Sequence, residues 1–244
     1  YGGKPPSFGP NYLIPQPFDP RLLLQLPPAV AQAAMDSGVA TRPMADFAAY
    51  NDQLTSFVFR TGLLMKPVFE RAKSAPCRLV YAEGEEETVL RAVQVVVDEG
   101  LAKPILIGRP EVIEKRIKRA GLRIKPGVDI EICNINCDPR FDDYWQHYHR
   151  LMERRGVTPS MAKAVIRSRP TAIASLMVER GEADALICGL VGQYQGKLRY
   201  IRDIIGLDEG VVEPSAMAAV STDKGTFFYL DTHVQDDPCP EQIA

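Results

Sequence analysis

From Arg78 onward, short apolar runs alternate with stretches of helical spacing, and this alternation limits the fold more than any other feature of the chain. Leu79-Val80-Tyr81 reads as a buried strand ending at Glu83-Gly84. Glu85, Glu86 and Glu87 follow, placed where the first turn of a helix favours negative charge. Val89, Ala92, Val93, Val96 and Val97 then recur at helical spacing up to Gly100. Pro104–Gly108 is a second strand, Glu111–Ala120 a second helix and Ile130–Ile132 a third strand. A βαβαβ run of this kind demands a parallel sheet covered by helices, which makes the fold class α/β. Further on, Phe141–Arg155, Thr158 onward (Thr158 as cap, Pro159 in the first turn) and Thr171–Arg180 read as helices. Ala183–Gly189 is a strand running into a glycine turn, Leu198–Ile205 a helix, and Ala216–Ser221 and Thr226–Asp231 two late strands.

The first part of the chain obeys different rules. Eight prolines between Pro5 and Pro28 argue against any helix there, because each removes an N–H and restrains the residue before it. Tyr12-Leu13-Ile14 and Leu22-Leu23-Leu24 are too apolar for a linker, so the reading is extended chain laid on a domain outside the sequence. Pro28 is expected to open a helix that closes at Gly38, with Val30, Ala31, Ala33 and Ala34 as its packing face. Ala45–Lys73 is expected to form one or two helices interrupted near Gly62 and Pro67, with Phe47, Leu54, Val68 and Phe69 on the apolar side. Tyr1 in place of an initiator methionine and the stop after Ala244 read as two cut edges.

The 244 residues are 45% hydrophobic and 25% charged, with 29 basic side chains against 31 acidic ones. That balance, a net charge of −2, gives no electrostatic case for nucleic acid as a partner. No apolar run approaches the roughly 20 residues of a membrane span, so no membrane partner is expected. Five cysteines, an odd and scattered set, point to a reducing compartment and a cytoplasmic location.

The most suggestive local motif is Cys188-Gly189-Leu190-Val191-Gly192-Gln193-Tyr194-Gln195-Gly196-Lys197-Leu198-Arg199. A strand, a glycine turn and a helix start bring free N–H groups and the helix dipole to one point, which suits an anion. It is no P-loop: three residues separate Gly192 from Gly196, and Leu198 stands where Ser or Thr would hold Mg²⁺. A plain βα turn and a phosphate or cofactor site remain the two readings. Arg199 and Arg202 are spaced to put two guanidiniums on one face, while Arg199 is equally spaced to pair with Asp203. His147 and His149 point to different sides of a helix, and Cys133 and Cys137 have no second pair at zinc spacing, so no metal site is expected. No catalytic set is complete.

Several longer runs resemble the large bacterial hybrid malic enzymes, in which an NADP-dependent malic enzyme is fused to a phosphotransacetylase-like domain. FGPNYLIPQPFDPRL (Phe8–Leu22) and AVAQAAMDSGVA (Ala29–Ala40) are similar to the end of the malic nucleotide-binding domain. Glu83–Glu86, Pro104–Gly108, Arg155–Thr158 and Gly181–Gly189 are similar to the phosphotransacetylase-like part. The resemblance implies a nucleotide-domain tail over 1–42, a helical junction over 43–75, and phosphotransacetylase-like subdomains over 76–140 and 141–244. Their expected architecture is of the isocitrate-dehydrogenase-like type, incomplete at the C-terminus. The acid–base pair, the Mg²⁺ or Mn²⁺ ligands and the NADP loop of the malic part would lie before Tyr1. The Ser and Asp motif of the phosphotransacetylases would lie after Ala244. The resemblance therefore implies that this segment alone does not turn over malate, and that it joins a homo-oligomer and the malic catalytic domain of its own polypeptide. It further implies acetyl-CoA as allosteric ligand, or phosphate, held by Arg199 with Gly189, Gly192, Gln193 and Arg202. Met152 and Thr88 stand where phosphotransacetylases carry arginines, which favours sensing acetyl-CoA over transferring its acetyl group. An active phosphate acetyltransferase and a purely structural module are the alternatives.

Overall fold

A computed structural model describes residues 20–58, 62–211, 213–222, 224–230 and 234. They form two compact units, one from residues up to Val68 with Ala219–Phe228, the other from Phe69–Ala218 with Tyr229 and Leu230. The first contains α1 (Pro20–Asp36) and α2 (Phe47–Val58); α3 (Gly62–Ser74) runs across the division. The second contains β1 (Cys77–Tyr81), α4 (Glu87–Asp98), β2 (Ala102–Ile107), α5 (Pro110–Ala120) and β3 (Glu131–Cys133). It continues through α6 (Phe141–Met152), α7 (Pro159–Ser168), α8 (Pro170–Glu179), β4 (Ala185–Ile187) and α9 (Tyr194–Ile204). Two late strands, β5 (Met217–Thr222) and β6 (Gly225–Leu230), pair as a separate two-stranded sheet. No helix of the described residues is long and apolar enough to cross a membrane.

The main sheet has the order β3-β2-β1-β4, with every neighbouring pair parallel. Strand residues alternate between its two faces, and both faces are apolar, as a sheet covered on both sides requires. Val80, Ile105 and Ile107 point into one core with Tyr144, Tyr148, Ile166, Leu176 and Met177 from α6, α7 and α8. Tyr81 and Leu106 point into the other, with Leu90, Val93, Ile113 and Ile117 from α4 and α5. Each such side chain contributes about 1.5–3 kcal/mol by leaving water. The sheet draws strands from both sides of residue 140, so β4 completes what β1, β2 and β3 begin.

A polar knot fixes α6 against the turn before β4. Tyr144 donates its hydroxyl to Glu182 at 2.5 Å, and Glu182 also accepts from Arg140 (3.2 Å) and Arg180 (2.7 Å). Both guanidiniums lie over the Tyr144 ring. Burial, reinforced by the Glu182 hydrogen bond, pushes the Tyr144 hydroxyl well above its usual range.

Several local expectations need correction. Helix α1 starts at Pro20 and runs through Pro27 and Pro28, where a helix start was expected. Its half-buried residues are Leu22, Leu24, Pro27, Pro28, Ala31, Ala34 and Met35, whereas Val30 and Ala33 are exposed. Prolines cost a helix its bonds at two carbonyls, but packing of this stripe beside α2 outweighs local propensity. Gly38 does end the helix with φ 73°. Pro67 lies inside α3 instead of breaking it, and Val68 and Phe69 are exposed. In α4, Leu90 joins the expected Val93 as a fully buried residue, Val89 and Val97 pack partly buried against the same core, and Ala92 is outside. Only Glu87 of the three glutamates is helical; Glu86 is the cap residue and Glu85 lies before it. The expected extended chain over Tyr12-Leu13-Ile14 and the Phe8–Asp19 part of the similar run lie outside the described residues.

Candidate functional site

After β1 the chain winds outward through β2 and β3, then returns on the other side of β1 as β4. The strand order reverses between β1 and β4, and the crevice outside the carboxyl ends at such a point is where ligands bind in open α/β sheets. Three segments meet there: Ala82-Glu83-Gly84 after β1, Gly108-Arg109 after β2, and Cys188-Gly189 after β4. Backbone bonds tie their roots together, Ala82 N–H to Ile187 O (3.0 Å) and Gly84 N–H to Ile107 O (3.2 Å). A Cβ on Gly84 would stand 2.8 Å from the Ile107 carbonyl oxygen, so only glycine fits.

The turn from β4 into α9 is built on Gly189 and Gly192, with φ of 112° and 94°, a conformation side chains rarely adopt. It delivers the N-terminus of α9 to the crevice. Gln193, the cap residue, is extended and makes no capping bond with its side chain. Lys197 reaches back to Glu83 at 2.8 Å, and Glu83 also accepts from the Gly189 N–H at 3.3 Å. This pair is well shielded, with side-chain exposures of 21% and 9%.

Two adjoining cavities flank the pair. The first, about 450 Å³, is bordered by Arg169, Thr171, Gly192, Gln193, Lys197 and Arg199. The second, about 400 Å³, is bordered by Glu83, Glu85, Gly108, Arg109 and Asn136, and it shares Pro170, Val191 and Lys197 with the first. Arg169, Lys197 and Arg199 give the first cavity a cationic wall. Thr171, in the first turn of the buried helix α8, has its Oγ1 buried without a hydrogen-bond partner among the described residues. The second cavity is more acidic. There Arg109 clamps Glu85 through two side-chain bonds of 2.8 Å, which hold the Glu85 carboxyl below its usual range.

The residues expected at the site separate on inspection. Arg199, Gly192 and Gln193 border the first cavity. Gly189 borders neither, serving the turn and binding Glu83. Arg202 borders neither as well, and its guanidinium pairs with Glu213 at 2.9 Å. Arg199 does approach Asp203, but at 3.9 Å, and Asp203 is held more closely by Arg155. The Arg199 side chain stays 71% exposed and rests near the Tyr200 ring. Lys197, Arg169 and Glu83 were not singled out by the sequence; Lys197 stood there only as one member of the glycine-rich motif. Cys188, at the strand end, is a poor nucleophile, because burial and then the Glu83 charge push its thiol up. His147 pairs with Glu179 and His149 lies near Glu153, and no cluster of metal-ligating side chains occurs among the described residues.

The family profile described as phosphate acetyl/butaryl transferase matches residues 63–244. The chain belongs to that family. An NADP-dependent malic enzyme of Salmonella typhimurium is 53% identical over 244 residues, all of this chain and 32% of its own length. An NAD-dependent malic enzyme of Rhizobium meliloti is 54% identical over 245 residues, again 32% of its length. The chain thus spans about a third of these curated relatives, and the double likeness fits a segment of a hybrid malic enzyme. A solved phosphotransacetylase from Streptococcus pyogenes shares the fold, with TM-score 0.66 at 21% identity over 75% of this chain and 54% of its own. Within the phosphate acetyl/butaryl transferase fold, Met152 is only 6% exposed and belongs to the hydrophobic core, and Thr88 is exposed on α4. Neither borders the two cavities.

Proposed function

We propose that this segment is the acetyl-CoA-sensing and oligomerising part of an NADP-dependent malic enzyme, a cytoplasmic enzyme that oxidatively decarboxylates malate to pyruvate and CO₂. NADP and Mg²⁺ or Mn²⁺ belong to the malic part of the polypeptide, and the segment alone turns over no malate. The observation that carries the reading is the convergence of Arg169, Lys197 and Arg199 with the α9 N-terminus on one cavity. A nucleotide thioester carries several phosphate charges, and such a cationic, partly shielded wall is what those charges need.

Sensing without transfer is favoured by the family resemblance, at two positions that border neither cavity. Acetyl transfer from the thioester to phosphate requires charge neutralised on the attacking phosphate and on the carbonyl oxygen as it becomes an oxyanion. The resemblance assigns part of that charge to the positions of Met152 and Thr88, which here are a core side chain and a neutral hydroxyl. Retention of Arg199 in a phosphate acetyl/butaryl transferase keeps a second reading in play, that of an active phosphate acetyltransferase. Regulation requires acetyl-CoA to bind two states of the enzyme unequally.

The decisive experiment follows malate oxidation by the full-length protein with and without acetyl-CoA while the thioester is assayed. A changed rate with acetyl-CoA unconsumed supports sensing. Phosphate-dependent loss of acetyl-CoA with acetyl phosphate formed establishes the transferase reading instead. No calorimetric heat of acetyl-CoA binding at millimolar concentration leaves a structural module.

A further inference from the structure

We infer that Lys197 is a partner-exchanging residue: it neutralises Glu83 in one state and donates to an oxygen of a bound phosphate or pyrophosphate group in the other. The inference rests on the reading that the first cavity takes an acidic nucleotide ester. Lys197 is the charged residue that borders both cavities, and its ammonium is held at 2.8 Å by Glu83. Its partner Glu83 borders the second cavity alone. An anion in the first cavity and the carboxylate of Glu83 therefore compete for one cation. The stem of Lys197 is flexible, and its ammonium is a point charge able to turn between acceptors without the planar match a guanidinium needs. Glu83 does not lose all support when the lysine leaves, because the Gly189 N–H still donates to it. With the ammonium turned away, Pro170 and Val191 are left as the shared wall, and the two cavities form one longer crevice. An elongated ligand with phosphates at one end and an uncharged acyl arm at the other matches that shape.

Glu83 is then a competitor for the anion, not a holder of the lysine, and the two roles predict opposite results. Titrations of the full-length protein with inorganic pyrophosphate, and in parallel with acetyl-CoA, compare wild type, Lys197→Gln, Glu83→Gln and the double variant. Lys197→Gln alone leaves Glu83 uncompensated in a shielded place, which weakens anion binding and threatens folding. The double variant removes both charges and leaves no orphan, so it keeps the test open even if the single variant misfolds. Pyrophosphate is expected to bind Glu83→Gln more tightly than wild type, and to bind the double variant about tenfold more weakly than Glu83→Gln, the loss of one charge-assisted hydrogen bond. Equal binding by Glu83→Gln and the double variant overturns the inference, since Lys197 would then act only by cancelling Glu83. Weaker binding by Glu83→Gln than by wild type overturns it too, by making Glu83 a holder. Either outcome leaves acetyl-CoA sensing intact as long as wild type binds acetyl-CoA. If wild type takes up neither probe, both the inference and the reading beneath it fail.

Discussion

The two ends of the main sheet carry similar furniture and differ in what surrounds it. At the carboxyl ends lie the adjoining cavities of about 450 and 400 Å³ and the Lys197–Glu83 pair at 2.8 Å. At the amino ends lies a larger groove, about 640 Å³, bordered by Arg78, Lys103, Val128, Asp129 and Glu131. It too has an ion pair, Arg78–Asp184 at 2.7 Å. Volume and ion pairing would rank the amino end first. Exposure reverses the order: the side chains of Arg78 and Asp184 are 44% and 46% exposed, against 21% and 9% for Lys197 and Glu83. Water screens the first pair and gives it little energetic weight, whereas the second keeps its field inside the protein. The helix α9 also starts at the carboxyl end and turns the positive end of its dipole toward it. The candidate site is set apart by shielded charge at a topological switch, not by the size of the hollow.

The largest effect that tests this contrast is on stability. Gly84→Ala places a Cβ 2.8 Å from the β2 backbone, and Gly127→Ala places one in open space at a φ of 77°. The first is expected to cost at least about 1–3 kcal/mol by overpacking the strand ends, and the second about 1–2 kcal/mol of local strain in the left-handed region. Urea midpoints of the two variants measure the order, and a reversed order breaks the claim that the carboxyl end is the tighter one. Next comes Arg199→Ala. Loss of one charged contact is expected to weaken acetyl-CoA binding about tenfold while leaving stability within about 0.5 kcal/mol, because the side chain is 71% exposed. An unchanged acetyl-CoA response would remove the ligand from this cavity.

The α/β class was readable because burial on both faces writes itself locally, as apolar strand runs of Val, Ile and Leu separated by helical periodicity. Thr158 behaves as the cap its sequence position implies, its Oγ1 accepting from the Met161 N–H. Helix α1 was misread because Pro27 and Pro28 signal locally, while the stripe that outweighs them shows its effect only once α2 is beside it. At the site, Arg199 could be placed from the glycine turn and the family resemblance. The pairing of Arg202 was not legible in the sequence, because its partner Glu213 lies in a loop with no periodic signal. Glu83, Arg169 and Lys197 are far apart along the chain and sit after β1, before α8 and within α9. Only the strand order brings them together, and no spacing rule reports strand order.

Smaller effects sharpen the contrast. Arg202→Ala is expected to change acetyl-CoA binding less than about twofold, since it breaks an exposed pair with Glu213 away from both cavities. A tenfold loss there would restore the two-guanidinium face that the helix spacing suggests.

At the amino end, Asp184→Asn is expected to leave acetyl-CoA binding untouched and to lower stability at neutral pH by an amount that vanishes in acid. Hydrogen bonds from Arg78 hold the Asp184 carboxyl down at about 2, from an ordinary value of 3.8. A carboxyl whose folded value is lowered contributes stability above its unfolded value and loses it as pH falls through the folded one. The stability gap between wild type and Asp184→Asn should therefore be full above pH 3.8 and close as pH falls toward 2. Asparagine has no proton to gain in that window, so the variant supplies the flat reference. Unfolding curves taken at several acid pH values measure the gap. One that stays constant through the window means the Arg78 bond does not hold Asp184 in solution, and one that is accompanied by weaker acetyl-CoA binding means the two ends of the sheet are not independent.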